Sequence, residues 1–444
     1  MLEWCAVLDW AASGAMALTG QPDGAPVASP APVFAMLGAV TEQLAQATRD
    51  TGKQVRADPP ELITGRAALS GFTRRGLVSA GGSSFLLPSV DGWCAVTLSR
   101  PDDLAAVPAI LGALGLDGAG LDRARLADVA RSALAAAALA RPAEDLASAA
   151  QLLGVPAAAL PTAALPAPAG WPPWRVTRIA PPSARARLTG AVVADLSGMW
   201  AGPLCARLLG LAGADVIKVE SPDRPDGARS GNREFFDWLH AGHRSLAVDF
   251  RTGAGRTALA ALLNVADVVI EASRPRALAA LGLAPDMIPH RGGQVWLSIT
   301  GYGRATPERV AFGDDAAVAG GLTGWTSGRS APEPVFCADA IADPLTGVCG
   351  ALAVARSLAA GGGELIDMSM REIAAAFAAA PAPDHGPHEI RPDGHVTCPR
   401  SRREQAVLPP PRPAPPSSPA AHAAELGAHT GAVLAWLAER EAAC

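Results

Sequence analysis

The stretch Ala191–Glu220, AVVADLSGMWAGPLCARLLGLAGADVIKVE, decides the fold of this chain. A run rich in Val and Ala (Ala191–Leu196) comes before Ser-Gly, and apolar residues at helical spacing follow as far as Gly213. A second apolar run, Asp215–Glu220, ends in an acid. This order predicts strand, turn, helix and strand, a unit that requires a parallel sheet because a crossover joins its two strands. Pro203 fits the first turn of the helix, where the missing N–H has no cost.

The same alternation continues downstream of this unit. Strands are predicted at Ser245–Asp249, Asp267–Glu271 and Gln294–Ile299, with helices at Gly253–Asn264 and Arg276–Leu281 between or after them. The pattern predicts an α/β fold with a Rossmann-like, doubly wound parallel sheet, whose ligands bind at the carboxyl ends of the strands. The opening unit contains no G-x-G-x-x-G, so it carries no dinucleotide fingerprint.

Composition and pattern divide the chain into five predicted segments. Residues 1–160 form a smaller α+β unit, in which Asp91–Leu98 is a strand after a turn. They are followed by a Pro-rich linker (161–187), the Rossmann-like domain (188–375), a Pro-rich irregular segment (376–420) and a C-terminal helix (421–444).

Composition also excludes some classes of function. The chain has 444 residues, enough for two or more domains, and its net charge of −5 gives no electrostatic case for nucleic-acid binding. The longest Ala-rich run, Ala133–Ala140, is too short to cross a membrane, and no signal peptide is apparent. Seven dispersed cysteines without a C-x-x-C indicate reduced thiols. We therefore expect a cytoplasmic protein.

One group of side chains has spacings that a Zn²⁺ site could use, namely His385, His388, His395 and Cys398. They stand in a Pro- and Gly-rich tail, without a second pair of cysteines. Short spacing patterns of this kind often match by accident. The sequence therefore favours an incidental cluster, and we expect no metal.

Several short segments form a recognisable series: Asp195–Ser197 with Trp200–Pro203, Gly210–Glu220, Arg244–Asp249, Ala266–Glu271 and Ser298–Gly303. Together these segments resemble CoA-transferase family III, the CaiB/BaiF family. Their order and spacing match over about residues 191 to 370. The resemblance implies an acyl-CoA site at the carboxyl edge of the sheet, with coenzyme A as part of the substrate, a carboxylic acid as the second substrate, and an interlocked homodimer.

The resemblance maps the family's catalytic aspartate onto Asp343, ahead of a buried helix predicted at Thr346–Leu358. A carboxylate can attack a thioester carbonyl, which forms an aspartyl anhydride and then an aspartyl-CoA thioester. The residues alone favour Asp343 as the N-cap of that helix, and the resemblance to the family reverses this preference. Asp339 is a weaker candidate for the nucleophile, and Asp314 and Asp315 are expected in a solvated turn.

Eight residues are the candidates for binding CoA: Trp200, Ala201, Arg224, Arg229, Arg244, Arg274, Gly81 and Gly82. Arginine offers paired donors to phosphate, and Arg276 is a further candidate; for each arginine the alternative is a solvated surface side chain. Gly81 and Gly82 resemble the family's glycine lid, which would exclude water from the site. In typical members the lid follows the CoA-binding half, whereas here it comes first. The first 160 residues therefore resemble a truncated CoA-transferase unit without a nucleophile.

Two other functions remain open. An α-methylacyl-CoA racemase needs acid–base groups on both faces of the α-carbon, and the family's Gly-His-Asp position is Gly313-Asp314-Asp315 here, without the histidine. A subunit that binds CoA without catalysis is the second alternative, which the unusual segment order favours.

Overall fold

The computed structural model describes residues 4–118, 126–163, 165, 170–326, 331–391, 394–416 and 422–442. Within them, the α-helices in chain order are α1 (Ala6–Ala12), α2 (Val33–Thr51), α3 (Pro59–Ser70), α4 (Pro101–Ala113), α5 (Leu126–Ala138), α6 (Ala143–Leu152), α7 (Ala201–Leu211), α8 (Arg233–His240), α9 (Gly253–Val265), α10 (Arg276–Ala279), α11 (Gly313–Ala319), α12 (Ala342–Ala359), α13 (Met370–Ala378) and α14 (Thr430–Ala442). Short 3₁₀ turns occur at Met16–Leu18 and Gly227–Ser230.

The strands of the described residues form four sheets. In chain order they are β1 (Ser84–Ser89), β2 (Gly92–Thr97), β3 (Ala157–Ala159), β4 (Arg175–Arg178), β5 (Val192–Asp195), β6 (Asp215–Glu220), β7 (Arg244–Ala247), β8 (Val268–Glu271), β9 (Val295–Thr300), β10 (Gly324–Trp325), β11 (Pro334–Val335), β12 (Glu364–Ser369), β13 (Glu389–Ile390), β14 (His395–Thr397) and β15 (Glu404–Ala406).

The largest sheet confirms the predicted doubly wound fold. Its seven strands have the order β4-β12-β9-β8-β5-β6-β7, and every pair is parallel except β4 with β12. From β5 the chain first extends the sheet through β6 and β7, and then continues on the other side of β5 through β8 and β9. The strand order therefore reverses between β5 and β8, which is where such sheets open a crevice for ligands.

Local chemistry explains the unit that opens this sheet. All four residues of β5 are buried, as expected for a strand covered on both faces. Pro203 lies in the first turn of α7, and Gly213, at φ +104°, turns the chain from α7 into β6. Helix α7 then packs closely on α12, since a Cβ at Gly347 would lie 2.6 Å from the carbonyl oxygen of Ala201.

Helix α12 begins at Ala342, four residues earlier than the predicted Thr346, because Pro344 is compatible with a first turn. Ile341 is its N-cap residue, so the alternative role of Asp343 as N-cap is wrong. Almost every residue of α12 is buried, as expected for a helix inside a core. Each large apolar side chain there contributes roughly 1.5–3 kcal/mol through burial.

The first 160 residues divide between two cores. The hydrophobic core around α12 includes Trp10 and Leu37 from the N-terminal segment, and α2 packs directly on α12. Buried residues between Leu87 and Ala157 form a separate core with β1–β3 and α4–α6. The smaller α+β domain is therefore built from the later part of the predicted unit, while the earlier part belongs to the core of the large sheet.

Two Pro-rich segments contain more structure than we predicted. The linker 161–187 contributes β4, an exposed edge strand whose arginines discourage pairing with other chains. The segment 376–420 contains the small antiparallel sheet of β13, β14 and β15, although residues 392–393 and 417–420 lie outside the described part of the chain. Among the described helices, none is both long and apolar enough to cross a membrane.

Candidate active site

Asp343 lies in the first turn of α12, with only 8 % of the residue exposed. The backbone N–H of Gly313, the first residue of α11, donates to its carboxylate. A Cβ at position 313 would lie 2.5 Å from Asp343 Oδ2 and 2.3 Å from the carbonyl oxygen of Ala340. Only glycine lets the start of α11 approach the aspartate this closely.

The surroundings of Asp343 favour its protonated form. Burial raises the pKa of Asp343 to about 7, the Arg66 guanidinium opposes this rise, and the nearby Asp314 and Asp339 add to it. Burial likewise raises the pKa of Asp339 to about 6, against the opposing charge of Arg66. Asp343 is therefore a carboxyl group that changes charge near neutral pH, in a site that excludes most water.

Arg66 is a positively charged residue beside these acids that the sequence analysis missed. It belongs to α3; its Nη2 donates to Asp339 Oδ1 at 2.9 Å and its Nε lies 2.9 Å from Oδ2. The guanidinium also lies over the ring of Trp200, 5.0 Å from the centroid. Trp200, a predicted CoA-binding residue, is fully buried here, and Ala201 beside it is buried against α12.

Asp314 and Asp315 are not in a solvated turn, so that prediction is wrong. Both are buried in α11, where Ser84 Oγ donates to Asp314 Oδ2 at 2.9 Å and Thr97 Oγ1 donates to Asp315 Oδ1 at 3.0 Å. The N–H of Ala340 donates to Asp314 Oδ1 at 3.0 Å. Burial raises the pKa of Asp315 to about 8. These acids are buried because hydroxyl and amide donors satisfy them, and the bonds hold β1 and β2 against α11.

The glycine loop reaches the acid cluster of its own chain. A Cβ at Gly81 would lie 3.0 Å from Arg66 Nη2 and 3.8 Å from Asp339 Oδ1. Gly82 has φ +84°, and the N–H of Ser84 donates to Ser79 Oγ, which closes the loop. The unusual segment order therefore does not separate this loop from Asp343's surroundings. The homodimer stays a prediction.

A cleft of about 590 Å³ lies at the carboxyl ends of β8 and β9. Its lining includes five arginines: Arg100, Arg224, Arg274, Arg276 and Arg309. Burial lowers the pKa of Arg274, and the charges of Arg276 and Arg100 lower it further. Phe312 also lines the cleft and directly precedes Gly313, which contacts Asp343, so these two residues link the cleft to the aspartate, which does not itself line it. Such a concentration of positive charge suits a ligand with several phosphates.

The predicted arginines differ in position. Arg224 and Arg274 meet in the cleft, together with Arg276. Arg229 instead pairs with Glu220, at 2.6 Å between Nη2 and Oε2. Arg244 begins β7, at the opposite end of the sheet, where it pairs with Asp215. The structure therefore does not bring Arg229 or Arg244 to the cleft, because buried or strand-edge partners hold them elsewhere.

Comparison with known proteins gives the family. The model of CoA-transferase family III matches residues 188–406. The chain is 31% identical to an "Acyl-CoA transferase" of Fusarium pseudograminearum (strain CS3096) over 43% of this chain and 46% of that protein. It is also 31% identical to a "Succinate--glutarate CoA-transferase" of Agrobacterium fabrum, over 45% of this chain and 54% of that protein. The chain thus spans about half the length of these curated relatives.

A solved CAIB/BAIF family protein from Brucella suis is 30% identical over 45% of this chain and 56% of its own, with a TM-score of 0.39. The family assignment depends on the sequence match, which covers β5 to β15 and includes Asp343, Arg224 and Arg274. Residues 188–406 of this chain belong to CoA-transferase family III.

Proposed function

We propose that this chain transfers CoA from an acyl-CoA to a carboxylic acid, with Asp343 as the nucleophile. The observation that carries the proposal is the position of Asp343: a buried carboxyl group with a pKa of about 7 that adjoins an arginine-lined cleft. A buried carboxylate is poorly solvated, and is therefore a better nucleophile than an exposed one.

In the first half of the reaction, the ionised Asp343 attacks the thioester carbonyl of the donor. A C–O bond forms, the C–S bond breaks, and CoA leaves as its thiolate, which gives a mixed anhydride. The thiolate then attacks the aspartyl carbonyl and expels the donor acid as a carboxylate. The product of this half is an aspartyl-CoA thioester.

In the second half, the acceptor carboxylate attacks the aspartyl-CoA thioester and releases the thiolate again. The thiolate attacks the acceptor's carbonyl in the new anhydride, which yields the product acyl-CoA and restores the Asp343 carboxylate. Each intermediate is reactive toward water, so the site has to exclude it. The low exposure of Asp343 and the closeness of Gly81 to Arg66 support this part of the proposal.

Arg224 and Arg274 are the predicted CoA-binding residues that fit this scheme best. They would hold the phosphates in the cleft while the thioester extends past Phe312 toward Asp343. The name of the Agrobacterium fabrum relative mentions succinate and glutarate. We therefore propose short dicarboxylic acids as acceptors, with succinyl-CoA as the first donor to try.

The experiment measures CoA exchange, which is the transfer of labelled CoA from succinyl-CoA to the acceptor glutarate. Asp343→Asn should abolish exchange, while Asp249→Asn, which changes a partly exposed acid of the same domain, should leave it intact. Hydroxylamine added during turnover should yield an Asp343 hydroxamate, detectable by mass spectrometry. Exchange at the wild-type rate in Asp343→Asn would show that this aspartate is not the nucleophile.

The two alternatives, a subunit that only binds CoA and a racemase, predict different results. A subunit that only binds CoA would show no exchange in the wild-type chain. A racemase would exchange the α-proton of a 2-methylacyl-CoA without exchanging CoA. It receives little support from Asp314, because both of its oxygens already accept hydrogen bonds from Ser84 and Ala340.

A further inference from the structure

Four side chains that can bind a metal meet where the N-terminal residues contact the Pro-rich tail, and none of them belongs to the acid cluster around Asp343. They are Cys5, His385, His388 and Cys398, and their four ligand atoms all lie within 4.8 Å of one another. Cys5 Sγ is 3.0 Å from His388 Nε2, and His385 Nδ1 is 3.1 Å from Cys398 Sγ. The ligand atoms of a tetrahedral Zn²⁺ site are separated by about 3.3–3.8 Å, given its usual bond lengths. The four atoms are therefore already close to that arrangement.

A backbone carbonyl group orients the side chain of His388. The Nδ1 of His388 is 3.1 Å from the carbonyl oxygen of Gly386, so Nδ1 carries the proton and Nε2 has its lone pair free toward Cys5. The N–H of Gly386 donates to Asp384 Oδ1 at 2.8 Å, which fixes the turn between the two histidines. Bonds of this kind to the far nitrogen of a histidine are typical of metal sites.

The turn that follows Cys398 has a similar effect on its sulfur. The N–H of Ser401 points to Cys398 Sγ at 3.5 Å. The N–H of Arg402 donates to the carbonyl oxygen of Cys398 at 3.0 Å, and Arg402 has φ +56°, which closes the turn tightly. An N–H directed at a cysteine sulfur stabilises the thiolate, the form in which cysteine binds metals.

Burial alone does not explain the cluster. Cys5, His385 and Cys398 are buried, but so are Cys94 and Cys337, which belong to no group of possible metal ligands among the described residues. Cys5 and His388 are 383 residues apart in the chain, so the fold has to bring them together. Helix α1, which follows Cys5, contacts both β14 and β15, which flank Cys398.

We propose that Cys5, His385, His388 and Cys398 bind one Zn²⁺ in a closed tetrahedral site that ties the N-terminus to the tail. Two thiolates and two imidazoles are a donor set typical of structural zinc, with no position left for a substrate. The N-terminal segment supplies part of the core around α12, so the metal would stabilise the helix that carries Asp343 without taking part in the reaction.

The sequence favours an incidental cluster because the tail is rich in Pro and Gly and lacks a second pair of cysteines. The four candidates were all residues of the tail, with His395 and without Cys5. The four atoms that the fold brings together exclude His395 and include Cys5. His395→Asn is consequently a matched control, because it changes a histidine of the same segment that is outside the proposed site.

The experiment measures zinc in protein purified under reducing conditions and loaded with Zn²⁺. The wild-type chain and His395→Asn should retain one equivalent after dialysis, and so should Cys94→Ser. Cys5→Ser and Cys398→Ser should each lose it. Absence of bound zinc in the wild-type chain, or its loss in His395→Asn but not in Cys5→Ser, would overturn the proposal.

A second measurement does not depend on the variants folding. Co²⁺ titrated into metal-free wild-type protein should give the visible bands of a tetrahedral site together with a thiolate-to-cobalt charge-transfer band. Octahedral bands without charge transfer, or a Cys5–Cys398 disulfide in freshly reduced protein, would contradict the proposal. Neither readout uses CoA transfer, so the outcome is separate from the role of Asp343.

Discussion

Arg66 and Asp339 are 273 residues apart in the chain, and their side chains meet beside Asp343 in an ion pair in which Nη2 lies 2.9 Å from Oδ1. Arg66 comes from α3, in the N-terminal unit, and Asp339 precedes α12, in the CoA-transferase domain. The pair therefore joins two segments that the sequence analysis treated as separate domains. Through its charge, Arg66 also opposes the rise in the pKa of Asp343.

Replacement of Arg66 should damage both the fold and the reaction. Arg66→Met leaves Asp339 buried without a partner, and loss of one side of a buried ion pair costs about 3–5 kcal/mol. The pKa of Asp343 should also rise above 7, since the charge that opposes burial is gone. We expect Arg66→Met to have a lower melting temperature than the wild type. We also expect its exchange rate to increase at a higher pH than that of the wild type. The melting temperature and the pH profile of Arg66→Lys should lie between those of Arg66→Met and the wild type. A pH profile of Arg66→Met identical to that of the wild type would contradict the proposed effect of Arg66 on Asp343.

The rate of CoA transfer should depend on pH through Asp343. Its pKa is raised to about 7, mainly by burial, and only the ionised carboxylate attacks the thioester. The exchange rate should therefore increase from pH 6 to pH 8 and level off above that range. Steady-state exchange in buffers of constant ionic strength measures this. An optimum near pH 5 would mean that the nucleophile is not this buried group.

Stability should change with pH in the opposite direction. Between the unfolded pKa of an aspartate, about 3.9, and the folded value of about 7, the folded chain holds a proton at Asp343 that the unfolded chain has released. The free energy of unfolding therefore falls as the pH rises through this window, by at most about 4 kcal/mol for this group. Asparagine at position 343 has no carboxyl proton to release. The melting temperature of Asp343→Asn should therefore decline less between pH 5 and pH 8 than that of the wild type. An unchanged slope in this variant would show that Asp343 does not titrate in the window.

The sequence was sufficient to predict features whose defining residues lie close together in the chain. The unit from β5 to β6 was predicted because its apolar spacing, Pro203 and Gly213 all lie within 30 residues. Asp343 was proposed for the same reason, as one residue of a short segment that resembles the family's motif, and its role as nucleophile stays a prediction. The edge strand β4 was missed because the prolines around it are typical of a linker.

Sequence was insufficient where the role of a residue depends on a distant partner. Arg66 has no local pattern that indicates an acid 273 residues away. Asp314 and Asp315 were expected in solvent because two adjacent acids are usually exposed. In the structure they are buried and accept hydrogen bonds from the hydroxyl groups of Ser84 and Thr97, which are distant in the chain. Cys5 was missed as a metal ligand in the same way.

Two arginines with the same predicted role provide a matched test of the cleft. Arg274 lines it, whereas Arg244 pairs with Asp215 at the other end of the sheet. Arg274→Gln should raise the KM for acyl-CoA about 10- to 100-fold, the equivalent of one charged hydrogen bond of roughly 1.5–3 kcal/mol. Arg244→Gln should leave the KM near its wild-type value. Equal effects of the two substitutions would mean that the cleft does not hold the phosphates.

Two glycines that each begin a helix give the sharpest test of the contact between α11 and Asp343. A Cβ at Gly313 would lie 2.5 Å from Asp343 Oδ2 and 2.3 Å from the carbonyl oxygen of Ala340, whereas a Cβ at Gly253 would meet nothing within 4 Å. Gly313→Ala must therefore push α11 away from α12, at a cost of about 1–3 kcal/mol, and weaken the N–H bond that favours the ionised aspartate.

Gly253→Ala should instead be neutral or stabilising by up to about 1 kcal/mol, because alanine has less freedom to lose on folding. Chemical unfolding of both variants measures this difference, and exchange assays from pH 6 to pH 9 test the second effect. In Gly313→Ala the rise of the rate should shift to higher pH, since the aspartate has lost a donor that lowers its pKa. If Gly313→Ala is destabilised as expected but its pH profile does not shift, the group whose ionisation near neutral pH controls the rate is not Asp343.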